Sequence, residues 1–298
     1  MGNKFLFLGL FVINLCFGQF TAKEYDSEEF NRFKASKTFI VLTGNEKFDT
    51  ELTKSMSNIW KTTPYSTISS EEFEKKIADK TASFICLFGN TNPNVKSYHY
   101  LALINGGKKT ISRYEYQDLI AYAPINFFIN ESNLTDCAYR VSNMIESMVL
   151  SIDLVQKNNI KGSTLSIVKE LGKIYLKRSP KIKERTLLIC EESINKKVLT
   201  GSNVQSVGIN YLLTKDLTKD DIAALYPFKY EICSKEKIEK VIKEKNKDYY
   251  YLQPAITVNK TIFVFDPVNG EVVYFDFTMM GALNFNKGNL KDLAKAIK

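Results

Sequence analysis

The sequence predicts an α/β protein made of two tandem pseudo-repeat β-α-β-α-β-β-β modules, with mixed sheets flanked by helices. Three observations predict it. The stretch from Tyr65 to Leu87 recurs from Tyr230 to Leu252, with 8 identities in 23 positions: Tyr65/Tyr230, Ser69/Ser234, Glu71/Glu236, Glu74/Glu239, Lys75/Lys240, Ile77/Ile242, Lys80/Lys245 and Leu87/Leu252. Short β-branched and aromatic runs alternate with helical patterns in both halves. Finally, each half closes with Asn-Leu followed by a helical pattern, at Asn133-Leu134 and at Asn289-Leu290.

Lys37 to Leu42 is a buried strand by its β-branched content, ended by Gly44-Asn45. Leu52, Met56, Ile59 and Trp60 then recur at helical spacing, with Asp49 or Thr50 as N-cap and Pro64 as the stop. Tyr65 to Ile68 is a short strand. Ser69 and Ser70 offer an N-cap, and Glu71-Glu72 suit the positive end of the next helix dipole, in which Phe73 and Ile77 share a face. Ala82 to Phe88 and Tyr98 to Ile104 are further strands. Asn105-Gly106-Gly107 followed by Thr110-Ile111-Ser112-Arg113-Tyr114 reads as a hairpin. Leu134, Ala138, Val141, Ile145, Met148, Ile152 and Val155 then form one long apolar stripe.

The second half repeats the order. Arg185 to Cys190 is its first strand, Asp220 to Leu225 a helix stopped by Pro227, and Thr261 to Phe265 pairs through Asn269-Gly270 with Glu271 to Phe277. Between the halves, Leu165, Val168, Leu171 and Tyr175 predict an amphipathic helix. The expected organisation is a signal peptide at 1–18, a first module at 19–156, a basic helical linker at 157–184 and a second module at 185–298.

Composition bounds the function. At 298 residues and 44% hydrophobic content the chain is long enough for two well-buried cores. Lys4 followed by Phe5 to Ile13 reads as a secretory signal, with Cys16-Phe17-Gly18 placing small residues at −3 and −1 before Gln19. That run is too short for a bilayer span, and later apolar runs are broken by charge, so no transmembrane span is expected after cleavage. The net charge of +8 is spread along the chain, apart from Lys169, Lys173, Lys177, Arg178, Lys181, Lys183 and Arg185. This cluster reads as a solvated linker face, and nothing resembles a nucleic-acid motif.

Catalytic and cofactor signals are sparse. His99 stands alone inside an alternating strand, without a nucleophile elbow. No CxxC, HxxxH, GxGxxG or Walker spacing occurs, so no catalytic, metal or cofactor residue is assigned and no cofactor is expected. The paired acids Glu71-Glu72 and Asp220-Asp221 lie at helix starts. Cys86, Cys137, Cys190 and Cys233 sit in apolar segments and read as buried thiols, with disulfides the alternative in an oxidising compartment. Tyrosines number sixteen. Tyr98, Tyr100, Tyr114 and Tyr250, on hairpin and strand, are the candidate partner-binding residues, since exposed aromatics grip proteins and glycans.

Trp60-Lys61-Thr62-Thr63-Pro64-Tyr65 ahead of a Ser-capped helix, together with Tyr226-Pro227-Phe228 and the Tyr249-Tyr250-Tyr251 strand, resembles uncharacterised secreted proteins of Bacteroidota. The Gln19 start is similar to their signal peptides. The resemblance implies a periplasmic or outer-surface location and no activity. The order of elements in each half also resembles thioredoxin-like folds, whose redox cysteines this sequence lacks. The expected function is therefore a non-enzymatic envelope protein that binds a protein or glycan partner. The alternatives are an envelope hydrolase using His99 with a carboxylate or Cys86, and a thiol-redox protein. Function is expected where the halves differ: the long first-half helix, the basic linker and the loop from Gly89 to Ser97.

Overall fold

A computed structural model describes residues 24–25, 27–90, 97–129, 131–194, 217–256, 259–279 and 285–298. The expected signal peptide and most of the 89–97 loop lie outside the described residues. Among the described residues no helix is long and apolar enough to cross a membrane.

The chain opens with β1 (Glu24–Tyr25) and α1 (Ser27–Ala35), whose Phe30 and Phe33 enter the first core. The first module then runs β2 (Lys37–Val41), α2 (Glu46–Ile59), β3 (Tyr65–Ile68), α3 (Ser70–Lys76), β4 (Ala82–Asn90), β5 (Ser97–Asn105) and β6 (Leu119–Ile129). A 3-10 stretch over Glu131–Arg140 leads into α4 (Val141–Lys157). After the two-residue β7 (Gly162–Ser163), which pairs with β1, comes α5 (Thr164–Arg178). The second module contains β8 (Thr186–Cys190), α6 (Glu191–Ile194), α7 (Lys219–Leu225), β9 (Tyr230–Cys233), α8 (Lys235–Lys243), β10 (Tyr249–Ile256), β11 (Asn259–Phe265), β12 (Val272–Met279) and α9 (Lys287–Ile297).

The two sheets have the same topology. Their strand orders are β3-β2-β4-β5-β6 and β9-β8-β10-β11-β12. In each, the first three strands of the module are parallel and the last two return antiparallel. The duplicated α/β architecture read from the sequence is the architecture of the molecule, and the modules keep separate five-stranded sheets.

Each sheet is covered on both faces, which is why its central strands read as continuous apolar runs. In the first, Ile40, Phe48, Leu52, Met56 and Trp60 pack with the α4 stripe on one side. Phe73, Ile77, Phe84 and Ile104 fill the other. Local chemistry fixes the elements. Ser69 Oγ accepts from Glu72 N at 3.1 Å while Glu72 Oε2 accepts from Ser69 N at 3.0 Å, a closed capping box. Ser234 occupies the equivalent position without a side-chain cap to the helix backbone, so the repeated serine does not play the same role twice. Thr38, Thr63, Ser83 and Ser36 form a buried hydroxyl chain at the start of β2, into which Trp60 Nε1 donates.

One expected element is displaced. Ile111–Arg113 is a 3-10 turn rather than the return strand of a tight hairpin, and the strand that pairs with β5 begins only at Leu119. The intervening excursion is tied down: Gly107 N donates to Ile77 O at 2.8 Å, Tyr114 Oη donates to Asn105 O at 2.8 Å, and Lys108 pairs with Asp118. These bonds satisfy the backbone that a two-residue turn would have paired.

Helix α4 joins the modules. Its apolar residues enter the first core, whereas Asn143 and Ser147 meet the second module and Ser151, a further turn on, meets α5. Tyr251 Oη donates to Asn143 Oδ1 at 3.2 Å, Asn143 Nδ2 donates to Pro267 O at 3.3 Å, and Ser151 shares a hydrogen bond with Tyr175. The basic cluster also departs from a purely solvated face. Arg178 pairs with Glu271 at 3.3 Å, Arg185 with Asp266 at 2.9 Å, and Tyr175 is buried against Phe275.

Candidate functional site

The carboxyl ends of the parallel strands are where open α/β sheets bind ligands, at the point where successive connections leave on opposite faces. In the first module the chain leaves β2 through α2 on one face for the outer strand β3 and returns through α3 on the other face to β4, so that point lies between β2 and β4. A cleft of about 600 Å³ lies there. Its size is within the usual range of small-ligand pockets.

The local sequence shapes this end. Gly44 adopts φ +82°, and Asp49 gathers the turn by accepting from Thr43 N, Thr43 Oγ1 and Gly44 N at 2.8–2.9 Å. Asn45 caps α2 through Phe48 N and donates to Thr135 Oγ1 at 3.0 Å, which brings the 3-10 stretch with Leu134 to the cleft. Ser70 Oγ donates to Leu42 O at 3.1 Å and holds α3 against the end of β2. The wall is apolar: Val41, Phe73, Ile77, Cys86, Leu87, Ile111 and Leu134. Hydroxyls of Thr43, Ser70, Thr110 and Ser112 interrupt it, with Glu74 and Lys109 at exposed positions on its rim.

Of the four tyrosines expected to meet a partner, only Tyr98 lines this cleft. Tyr100, Tyr114 and Tyr250 are buried, so the expectation of exposed gripping aromatics fails for three of the four. Tyr100 packs edge-on to Tyr122 at 4.9 Å and hydrogen-bonds to Thr261 of the second sheet. Tyr114 closes the 106–118 excursion, and Arg185 lies 4.5 Å over the ring of Tyr250. The tyrosine-rich strands serve packing within and between modules, as aromatic strand residues commonly do.

His99 is buried and is not among the residues lining the cleft. Desolvation pushes its pKa down to about 4, which keeps the imidazole neutral. Cys86 reaches the cleft, but burial pushes its thiol up to about 12. The four cysteines described are all unpaired and buried. No group of acidic, histidine or cysteine side chains suited to a metal ion occurs among the described residues.

A second titratable cluster lies under α9. Lys260 Nζ donates to Asn289 Oδ1 at 2.6 Å, Asn289 Nδ2 donates to Asp276 Oδ2 at 3.4 Å, and burial pushes the lysine pKa down to about 8. These bonds tie the start of α9 to β11 and β12, which accounts for their placement. An open groove beside α5, rimmed by Lys161, Lys173 and Lys177 against Glu170, retains part of the positive cluster seen in the sequence.

The sequence pattern put Thr110 and Ile111 in the return strand of a hairpin and assigned no role to Lys109, so none of the three stood out as a cleft residue. The Gly106-Gly107 pair was the available signal that the chain turns away there. No family model, curated protein or solved structure matches the chain.

Proposed function

We propose that this chain is an exported protein of the cell envelope that binds a partner protein through the cleft at the carboxyl end of the first sheet, without catalysing a reaction. The observation that carries the reading is the lining: a mostly apolar wall broken by four hydroxyls, at the position where this architecture presents ligands. Such a surface suits an extended segment with apolar side chains, whose backbone the hydroxyls of Thr43, Ser70, Thr110 and Ser112 meet. The thiol in the cleft is held protonated, and the neutral histidine lies elsewhere, so the lining favours packing and hydrogen bonding over proton transfer. The proposed export rests on the Lys4 to Gly18 segment.

The test is affinity capture from envelope extracts with the wild-type chain, Ile111→Asp, and Lys109→Glu, whose change lies on the exposed rim. Loss of one specific captured protein with both variants, at unchanged Tm for Lys109→Glu, supports the proposal. Specific signals on a glycan array and none from capture would redirect the cleft to a glycan. Turnover in a hydrolase screen that Ile111→Asp abolishes would overturn the binding-only reading.

A further inference from the structure

The two sheets share one strand order, so their equivalent positions can be compared. The last register pair joining β2 and β3 is Val41 beside Ile68. The last pair joining β8 and β9 is Cys190 beside Cys233. Both pairs belong to the apolar layer on the side of the second crossover helix, α3 or α8. The first module shows that an aliphatic pair satisfies the fold there, so packing does not call for two cysteines at once.

Geometry makes the pair a natural disulfide. Neighbouring strands lie about 4.8 Å apart, inside the Cα separation of about 4.4–6.8 Å that a disulfide spans. Each cysteine is the final residue of its strand, where the chains can close the remaining gap without breaking an interior ladder bond. Cys190 and Cys233 are also the least enclosed of the four, at 8% and 6% exposed. Cys86, by contrast, faces Ala102 across the ladder.

Burial pushes the Cys190 thiol up to about 11 and the Cys233 thiol up to about 12, so their thiolates are minor species at neutral pH and exchange is slow. The charge of Arg140, itself only 2% exposed, offsets part of that rise at Cys190.

We propose that Cys190 and Cys233 are a redox pair that forms a disulfide linking β8 to β9 when the protein meets a small-molecule disulfide. The Cys190 thiolate attacks one sulfur of the oxidant and expels its first thiolate. The Cys233 thiolate then attacks the Cys190 sulfur of the mixed disulfide and expels the second. Two protein thiols become one disulfide, the oxidant becomes two thiols, and the two protons pass to the departing thiolates. The inference stands independently of the cleft.

The test incubates the folded full chain with oxidised glutathione, quenches in acid, denatures, alkylates and maps the peptides. Cys190 and Cys233 are expected to lose alkylation together and to appear as one cross-linked peptide pair, while Cys86 and Cys137 alkylate fully. The double variant Cys190→Val/Cys233→Ile copies the first module's pair. It is expected to fold and to show no change of Tm on oxidation, whereas the oxidised wild type melts higher than the reduced. Full alkylation of Cys190 and Cys233 after oxidation, or a cross-link from either to another cysteine, would overturn the proposal.

Discussion

Replacing Gly270 with alanine measures how closely the second module is seated on the helix that closes the first. Gly270 lies in the β11–β12 turn at φ +69°, with its N donating to Asp266 O at 2.9 Å. A Cβ there would stand 2.6 Å from the carbonyl oxygen of Asn143, 2.8 Å from Glu146 Cβ and 3.0 Å from Ser147 N. Most of what it meets is the backbone of α4, which cannot rotate away. The left-handed backbone alone costs an alanine about 1 kcal/mol. Relieving the overlap moves the hairpin and strains the Asn143 bonds to Tyr251 and Pro267, a further cost of about 1–3 kcal/mol. Gly44 is the matched control: its φ is +82°, and a Cβ added to it would meet nothing within 4 Å. Urea unfolding, followed by circular dichroism and by the fluorescence of Trp60, is expected to show Gly44→Ala down by about 1 kcal/mol and Gly270→Ala down by about 2–4 kcal/mol. Equal losses for the two variants would refute the close seating of the hairpin on α4.

Two further predictions concern buried charge. His99 has a folded pKa near 4 against 6.5 when free, so the stability gained by keeping it neutral is complete above about pH 6.5 and is lost as pH falls toward 4. Between pH 7.5 and pH 5 this amounts to about 2 kcal/mol, so His99→Gln should flatten the urea-midpoint profile by that amount, and parallel profiles would contradict the assignment. Arg140→Met removes a buried guanidinium with two unsatisfied donor atoms. Its Tm is expected to stay level or rise, and a loss above about 2 kcal/mol would mean that the cation has a compensating partner.

Much of the fold is legible because it is written in short-range patterns. Tyr65–Ile68 reads as a strand and is one, and Ser69 caps the following helix as its spacing to Glu72 requires. The internal repeat forecasts a shared architecture, and both sheets carry the same strand order. The first-module hairpin misleads because the chain's detour from Gly106 to Asp118 is held by bonds to Ile77 and Asn105, which no local pattern announces. The tyrosines mislead because composition does not say which face of a strand meets another layer.

By itself, then, the sequence determined most of the elements, the Ser69 cap and the duplication, since each depends on contacts within a few residues along the chain. The cap of α2 is Asn45 rather than Asp49 or Thr50, because Asp49 lies within the helix and gathers the Thr43-Gly44 turn instead. Only the tertiary structure decided that Tyr100, Tyr114 and Tyr250 are enclosed, and that Ile111 and Lys109 border a cleft with Thr43 and Ser70. It alone set Cys190 beside Cys233, where the first module has Val41 beside Ile68. Those relations depend on strand register and on the docking of one layer on another. Both are settled by the burial of side chains far apart in sequence.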